Sequence, residues 1–462
     1  MAVIKPGIRI LVKAVVLLWM AFSPLAAGAQ FIISGDFDGR LSSLNLRRTV
    51  PDTLNSRLLS LLGTAELDFA YNGRRWNAYA SLYASYTQGS NLFSTKVPAT
   101  FSLTLSQAWV RYIISKYFSV QAGRIEIEYD DQRFFQARDW SGLVTSHNAI
   151  IARYFRPDTT GMVDVGFAAN RFRSNDWLFN TDPSINTYRY LTYIYAYRSL
   201  FDHQLNLIFN DIFNADDNGL DPTVLYGRNT IGGSSWWSND DWNINLAGFY
   251  QFGHVDDGRK LSAWYYAAYV SYQPCEWLTL MPVFEHMSGD NLSDSNEWKK
   301  EVHGFSLLYG NMNRSFGTSG IFNSSYRSNT HSGLNNLYFV NTFDITHNFS
   351  IEASYHWYSL PHPYLREYVP DSNKIMIVKV PASLIHQVEV LFSYTPIPSL
   401  ELSLDYQLLF PGKGMVNYNG WNFNPGSPVS SAYLEIEWTP VFYPRKRKHS
   451  SVKPYSPGHT PG

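Results

Sequence analysis

The sequence predicts an all-β protein, a single-chain transmembrane antiparallel β-barrel of about 18 strands with short periplasmic turns and long extracellular loops. Three observations predict it. Apolar and polar residues alternate with period two through most of the chain. Aromatic residues make up 16%, with 32 Tyr, while charged residues reach only 16% against the ~25% of soluble proteins. Connections between alternating segments are short and long in turn, the asymmetry of barrels that cross an outer membrane.

Residues 1–29 read as a secretory signal peptide. Lys5, Arg9 and Lys13 form a basic start, and Ala14 to Phe22 is an apolar run too short to span a bilayer as a helix. Ala27-Gly28-Ala29 is a small-residue cleavage site, with cleavage expected after Ala29. Beyond it no run of ~18 apolar residues occurs, so membrane insertion has to be by strands.

Residues 30–443 are read as the barrel. Alternation predicts strands at 31–41, 60–72, 75–87, 102–114, 117–127, 146–155, 160–170, 187–198, 203–213, 222–233, 242–253, 262–273, 277–287, 335–346, 348–359, 383–396, 399–410 and 431–443. The clearest is 399–410, where Leu400, Leu402, Leu404, Tyr406, Leu408 and Phe410 share one face and Ser399, Glu401, Ser403, Asp405 and Gln407 the other. A soluble sandwich alternates too; the strongly aromatic apolar face separates the two readings.

Tight turns are expected at Asn72-Gly73, Ser115-Lys116, Arg156–Thr160, Ser199–Asp202, Pro274–Glu276, His347 and Pro396–Pro398. Long loops are expected at 42–59, 88–101, 128–145, 171–186, 214–221, 254–261, 288–334, 360–382 and 411–430. A barrel with both ends in the periplasm needs an even strand count. Val302–Gly310 is therefore assigned to the loop 288–334, and Ser234–Asp241 stands as an unusually long periplasmic connection. Residues 444–462, with Arg445-Lys446-Arg447-Lys448, read as a basic, Pro-rich, disordered periplasmic tail.

The stretch 107–155 carries the chemistry. Arg124, Glu126, Asp130, Asp131, Arg133, Arg138, Asp139 and Trp140 form a polar stretch among alternating segments, and Arg111 and Arg153 lie on the segments to either side. A dry core would not tolerate so many charges, whereas a water-filled bore does. Gln107-Ala108-Trp109-Val110, Gly123-Arg124, Tyr129-Asp130-Asp131-Gln132-Arg133 and Asp139-Trp140 together resemble the signature of the alginate-export family of outer-membrane barrels. Leu308-Tyr309-Gly310 resembles a second element of its Bacteroidetes-type branch. Ile125 and Ser146-His147-Asn148 depart from the pattern, where Gln and Asp are usual. The resemblance implies an 18-stranded monomeric barrel that passes an anionic polysaccharide outward through an Arg-lined lumen.

The residues themselves leave more open. Arg suits a polyuronate because its planar fork pairs with carboxylates and stays charged. Substrate and pore-lining candidates are Arg111, Arg124, Glu126, Asp131, Arg133, Arg138, Asp139, Trp140 and Arg153. The same two-signed set suits a general porin constriction. It also suits a buried ion-pair network of Arg124, Arg133 and Asp139 that holds the 128–145 loop down. Phe134 and Phe135 read as loop packing, and Trp236-Trp237 as an interfacial girdle.

Other chemistries find little support. The loop 214–221 lacks the final carboxylate of an EF-hand, and no His-Glu-x-x-His occurs, so no metal and no cofactor are expected. Cys275 is the single cysteine, which excludes an internal disulfide. Ser146 and His147 are adjacent on a strand and point to opposite faces, so no enzyme is expected. A formal net charge of −1 does not point to nucleic acid. The expected function is a channel in a Gram-negative outer membrane for an anionic polysaccharide or oligosaccharide, with a general or oligosaccharide/anion uptake porin as the alternative. Expected partners are that saccharide, the lipid bilayer with its lipopolysaccharide, and a periplasmic export complex.

Overall fold

The computed structural model describes residues 30–45, 57–91, 94–130, 132–135, 145–158, 160–169, 188–215, 224–255, 257–291, 300–308, 310, 332–368, 376–415 and 426–443. The signal peptide and the basic tail lie outside the described residues.

The strands are β1 (Gln30–Asn45), β2 (Arg57–Asn72), β3 (Trp76–Asn91), β4 (Ser94–Ile113), β5 (Phe118–Ile125) and β6 (His147–Phe155). Then come β7 (Gly161–Ala169), β8 (Tyr190–Leu200), β9 (His203–Ala215), β10 (Leu225–Ser238), β11 (Trp242–His254), β12 (Lys260–Cys275) and β13 (Leu278–Met287). The rest are β14 (Glu301–Val302), β15 (Leu334–Thr346), β16 (Phe349–Ser359), β17 (Tyr364–Tyr368), β18 (Met376–Val380), β19 (Ser383–Ile397), β20 (Leu400–Pro411), β21 (Val429–Trp438) and β22 (Val441–Tyr443). β14 and the β17–β18 hairpin lie off the wall, and β22 continues β21 past Thr439-Pro440, which leaves a barrel of eighteen strands.

Every wall strand pairs antiparallel with its neighbours, and β1 closes the cylinder on β21 from Phe37↔Trp438 to Asn45↔Ser430. Closure removes the unpaired edges that a sheet in lipid cannot carry. The expected alternation sorts the faces: on β20, Leu404 and Tyr406 are 47% and 46% exposed while Asp405 and Gln407 are buried. Ile150, Val165, Ile194, Leu207, Ile231 and Leu246 form part of the apolar outer band. Trp76, Trp237, Trp242, Trp277 and Trp438 stand exposed beside the short turns, an aromatic girdle at that interface.

The short turns are held by their own backbone. Gly73 N–H donates to Trp76 O at 2.9 Å, and Ser115 Oγ accepts from Phe118 N at 3.1 Å. In the turn after β6, Asp158 accepts from Arg156 and Thr160, which holds its carboxyl below the usual carboxylate range. The expected long connection Ser234–Asp241 is corrected: β10 runs on to Ser238, and only Asn239–Asp241 turns. Asn239 Oδ1 accepts from Trp242 N at 2.8 Å and Asp241 N at 3.1 Å, a side chain standing in for the backbone of a tight turn.

Three expected loops are also partly strand. β3 and β4 continue to Asn91↔Ser94, so 88–101 is mostly ladder standing above the bilayer. β11 and β12 leave only Val255–Arg259 between them, and 360–382 contains the β17–β18 hairpin. These strands exceed the ~9–11 residues a bilayer needs; polar patterning above the membrane hid their continuation.

β5, β6 and β7 are short, with 8, 9 and 9 residues, where β1 to β4 have 16 to 20. The wall is low there because the chain leaves it. Gly123 takes φ 136°, and a Cβ at that position would lie 2.2 Å from Ala108 O. Three residues later the chain turns into the bore, with Asp130 and Gln132 both at positive φ. The predicted strand 117–127 accordingly stops at Ile125.

Candidate functional site

Two segments fold inward and meet. The first comprises the described residues 126–130 and 132–135 after β5. The second comprises the described residues 301–308 and 310, held against the inner face of β11 and β12. Gln251 serves as its ladder partner, donating Nε2 to Ser306 O at 2.8 Å and accepting from Ser306 N at 2.9 Å. His303 Nδ1 lies 2.8 Å from Ser262 O, and β14 pairs in parallel with Lys260 and Leu261. Val302–Gly310 is thus no wall strand, as expected from parity, but an inner lining. Where the segments touch, Phe134 packs edge-on against Phe249 at 4.6 Å and lies 6.2 Å from Phe305. A Cβ on Gly310 would sit 1.9 Å from Arg133 O, so that position admits only glycine. The two sequence elements that resembled one family are therefore in contact.

Arg133 is the link to the far wall. Its Nη1 lies 3.3 Å from Glu285 Oε1 on β13, and its Nη2 donates to Tyr269 OH at 2.9 Å. The guanidinium stacks 4.8 Å from the Tyr265 ring centroid, and Tyr265 OH donates to the same Glu285 oxygen at 2.8 Å. Arg133 and Glu285 are both buried. Sequence reasoning missed Glu285. A carboxylate among Met281, Val283 and Met287 on the inner face of β13 was the available signal, since a buried charge demands a partner.

Arg124 is buried too, within electrostatic reach of Glu126 and Tyr188. Phe134 and Phe135 are loop packing, as expected. Of the other expected residues, Asp131, Arg138, Asp139 and Trp140 lie outside the described residues, and with them the Asp139 part of the suggested network.

Below the inward segments, on the side of the short turns, lies a cavity of about 820 Å³. Arg111, Arg153, Glu128, Asp130, Asp202 and Trp236 line it, with Tyr195 and Tyr197. Arg153 is spoken for: it binds Asp164 through Nε at 2.7 Å and Nη2 at 2.5 Å. Tyr129 OH donates to the same carboxylate at 2.6 Å and its ring stacks on Tyr195 at 4.1 Å. Asp130 accepts from Asn206 Nδ2 at 2.6 Å and from Tyr195 OH.

Arg111 is placed differently. Its Nε and Nη2 both donate to Gln121 Oε1, at 3.0 and 2.6 Å, and its guanidinium lies 5.2 Å from the Trp109 ring centroid. Among the described residues no carboxylate lies within salt-bridge distance of it. Gln121 and Trp109 fix the fork in place without neutralising it.

Trp236 and Trp237 part company. Trp237 is 41% exposed on the outer face, a girdle residue as expected. Trp236 lines the cavity, its Nε1 donating to Ser234 Oγ at 3.1 Å, which corrects the girdle expectation for that residue. The pair divides because β10 runs through both residues, which the sequence reading places in a connection, and adjacent strand residues face opposite sides.

A closed eighteen-stranded wall, an aromatic girdle beside the short turns and a polar, part-filled bore define an integral outer-membrane β-barrel channel. The alginate export family matches residues 42–414, and the chain belongs to that family. No curated protein matches the chain. Among solved structures it is similar to OpdK of Pseudomonas aeruginosa with vanillate, at 11% identity and TM-score 0.56, over 89% of this chain and 100% of that one. It is similar to OccK2 (OpdF) of Pseudomonas aeruginosa in complex with glucuronate, at 12% identity and TM-score 0.57, over 90% and 99%. A BenF-like porin from Pseudomonas fluorescens Pf-5 gives 10% identity and TM-score 0.56, over 89% and 99%.

Proposed function

We propose that this barrel passes an anionic polysaccharide or oligosaccharide across the outer membrane of a Gram-negative bacterium, and that it acts as a monomer. The observation that carries the reading is Arg111: a guanidinium braced on Gln121 and Trp109 in a polar cavity, with no described carboxylate within salt-bridge distance and Asp164 acting on it only from further away. A polyuronate presents one carboxylate per sugar, and Arg forks match carboxylates in two hydrogen bonds. Family membership supports export as the direction, with a periplasmic complex delivering the polymer and lipopolysaccharide surrounding the outer rim.

The second reading is an uptake porin for small anions or acidic oligosaccharides. Two solved barrels of similar fold, described with vanillate and with glucuronate, favour it; both ligands are carboxylates. Single-channel recording in planar bilayers separates the readings. An exporter closed by its inner segments conducts little until they are trimmed, and added polyuronate then blocks the current. An open porin conducts at once. Block by neutral maltodextrin with no response to polyuronate overturns the acidic cargo in both.

Catalysis is not part of the proposal. Ser146 Oγ donates to Ser106 O at 2.5 Å and His147 Nδ1 faces Tyr188 OH at 2.6 Å, so neither serves the other as nucleophile and base.

A further inference from the structure

The lumen is divided by charge. Arg111 on β4 and Arg153 on β6 line one side of it, while the seam that closes the barrel is acidic. On β21, β1 and β2 the lumen-facing carboxylates are Asp36, Asp38, Glu66, Asp68, Glu435 and Glu437. Arg40 is the sole cation with a described side chain on those strands, and it serves Asp38 at 3.6 Å and Glu435 at 3.4 Å. Register sets Asp36 directly across from Glu66 and Asp38 directly across from Glu437. Like charges directly opposite one another are destabilising. A wall built this way calls for positive charge from outside its own strands.

Positive charge begins where the seam ends. β22 brings the chain back onto β1 with Val441 across from Ser34, and Ser34 Oγ donates to Asp68 Oδ2 at 3.3 Å. The Phe442 ring packs edge-on against Phe37 and Trp438, each 6.3 Å away, which fixes this end of the strand to the outer face. Pro444 has no N–H with which to extend the ladder. Arg445, Lys446, Arg447 and Lys448 follow at once, then Lys453, and residues 444–462 hold no Asp or Glu. Extended chain covers ~3.3–3.6 Å per residue, so the four consecutive cations fall roughly 7–18 Å from Tyr443. Asp36 is three residues along β1 from Ile33, the partner of Tyr443, or about 10 Å. The basic run is rooted in the middle of the acidic seam and reaches it.

We propose that residues 444–462 dock on the acidic seam of the lumen wall, with the run Arg445–Lys448 lying across Asp36 and Asp68 at the short-turn mouth. The segment brings countercharge to a stretch of wall that has one described cation of its own, and it narrows that side of the bore. Its tether to β22 sets a local concentration in the millimolar range, so a weak contact suffices. The docking goes beyond the channel reading and holds whatever the channel carries.

Trypsin cuts after Arg and Lys, and a docked run is shielded from it. The full mature chain, refolded in a zwitterionic detergent, is digested at low salt, and mass spectrometry follows cleavage at 445–448 against a free peptide of residues 441–462 in the same buffer. Cleavage in the protein is expected to be about tenfold slower than in the peptide. High salt is expected to remove the difference, because it screens the attraction. D36N/D68N is expected to be cut at nearly the peptide's rate. D240N/D241N, which changes two acids at the turn after β10, is expected to be cut as slowly as the parent. Heat-modified mobility on gels confirms that each variant is folded, and D36N or D68N alone replaces the pair if the pair is not. In a second measurement a labelled peptide of residues 444–462 is expected to bind the barrel truncated after Tyr443 and to bind it several-fold more weakly when D36N/D68N is added. Cleavage of the parent at the peptide's rate, or protection unchanged in D36N/D68N, overturns the docking. Protection that appears only with phosphatidylglycerol vesicles also overturns it, and assigns the segment to the lipid surface.

Discussion

Arg133 and Glu285 sit 152 positions apart in the chain and 3.3 Å apart in the lumen. One comes from the segment that leaves the wall after β5, the other from the inner face of β13. Their contact ties the inward segment to the opposite wall, with Tyr265 and Tyr269 closing over it. Removing one member of a buried pair strands the other charge, at a cost of roughly 3–5 kcal/mol. E285Q and R133M are each expected to lower unfolding stability in detergent by about 3 kcal/mol and to raise single-channel conductance as the segment loosens. R133M/E285M is expected to recover most of the stability. Singles that cost under ~1 kcal/mol refute the tether.

Gly310 is expected to be intolerant for a different reason. Its hypothetical Cβ meets the Arg133 carbonyl oxygen at 1.9 Å, and backbone cannot swing aside as a flexible side chain can. G310A therefore pushes the two inward segments apart, with an expected loss of about 2 kcal/mol in chemical denaturation. G63A is the control: nothing lies within 4 Å of a Cβ there. It is expected to stay within ~0.5 kcal/mol of the parent. Similar losses in both variants remove the close-approach argument.

The wall was legible in the sequence because lipid outside and water inside impose a period of two that no loop imitates for long. The alternation at 399–410 became β20 with the faces as read, Leu404 and Tyr406 outward, Asp405 and Gln407 inward. Loop lengths were less legible. β3 and β4 run above the bilayer, where both faces meet water and the pattern loses its contrast. The site was half legible. Arg111 and Arg153 both line the cavity, but which of them is neutralised depends on Asp164 pairing across from Arg153 on β7, a matter of register. Glu285 and Trp236 come from strands far along the chain, and only closure of the barrel brings them to the stretch 107–155.

The outward assignment of β9 has a measurable depth dependence. Leu207 is 52% exposed while Asn206 beside it is buried, so Leu207 meets hydrocarbon. Leu205 lies two residues nearer the turn at Phe201-Asp202. A lysine on the lipid face costs ~2–4 kcal/mol at the midplane and ~0–1 near the interface. L207K is expected to cost about 2 kcal/mol in equilibrium unfolding from bilayers, and L205K clearly less. Equal, small costs would place that face outside the membrane.

The bore also carries a second kind of surface, and it predicts an ion preference. On β20, β21, β1 and β2 the lumen-facing positions include Asp36, Asp38, Glu66, Glu401, Glu435 and Glu437. Register sets Asp36 opposite Glu66 and Glu401 opposite Glu437, pairings that are unfavourable for like charges. Arg40 is the sole guanidinium with a described side chain on those four strands. It lies 3.6 Å from Asp38 and 3.4 Å from Glu435, so part of its charge is already used. Focused in a bore with low-dielectric walls, such an excess raises the local concentration of cations. Under the proposed function, counter-cations that accompany a polyanion would find in this wall a path of their own. The channel, with its inner segments trimmed and no cargo present, is expected to be cation-selective, with a reversal potential in a KCl gradient on the potassium side. E401Q/E437Q is expected to move that potential toward zero and to leave polyuronate block intact. A potential already on the chloride side in the parent channel refutes the acidic wall as the source of selectivity.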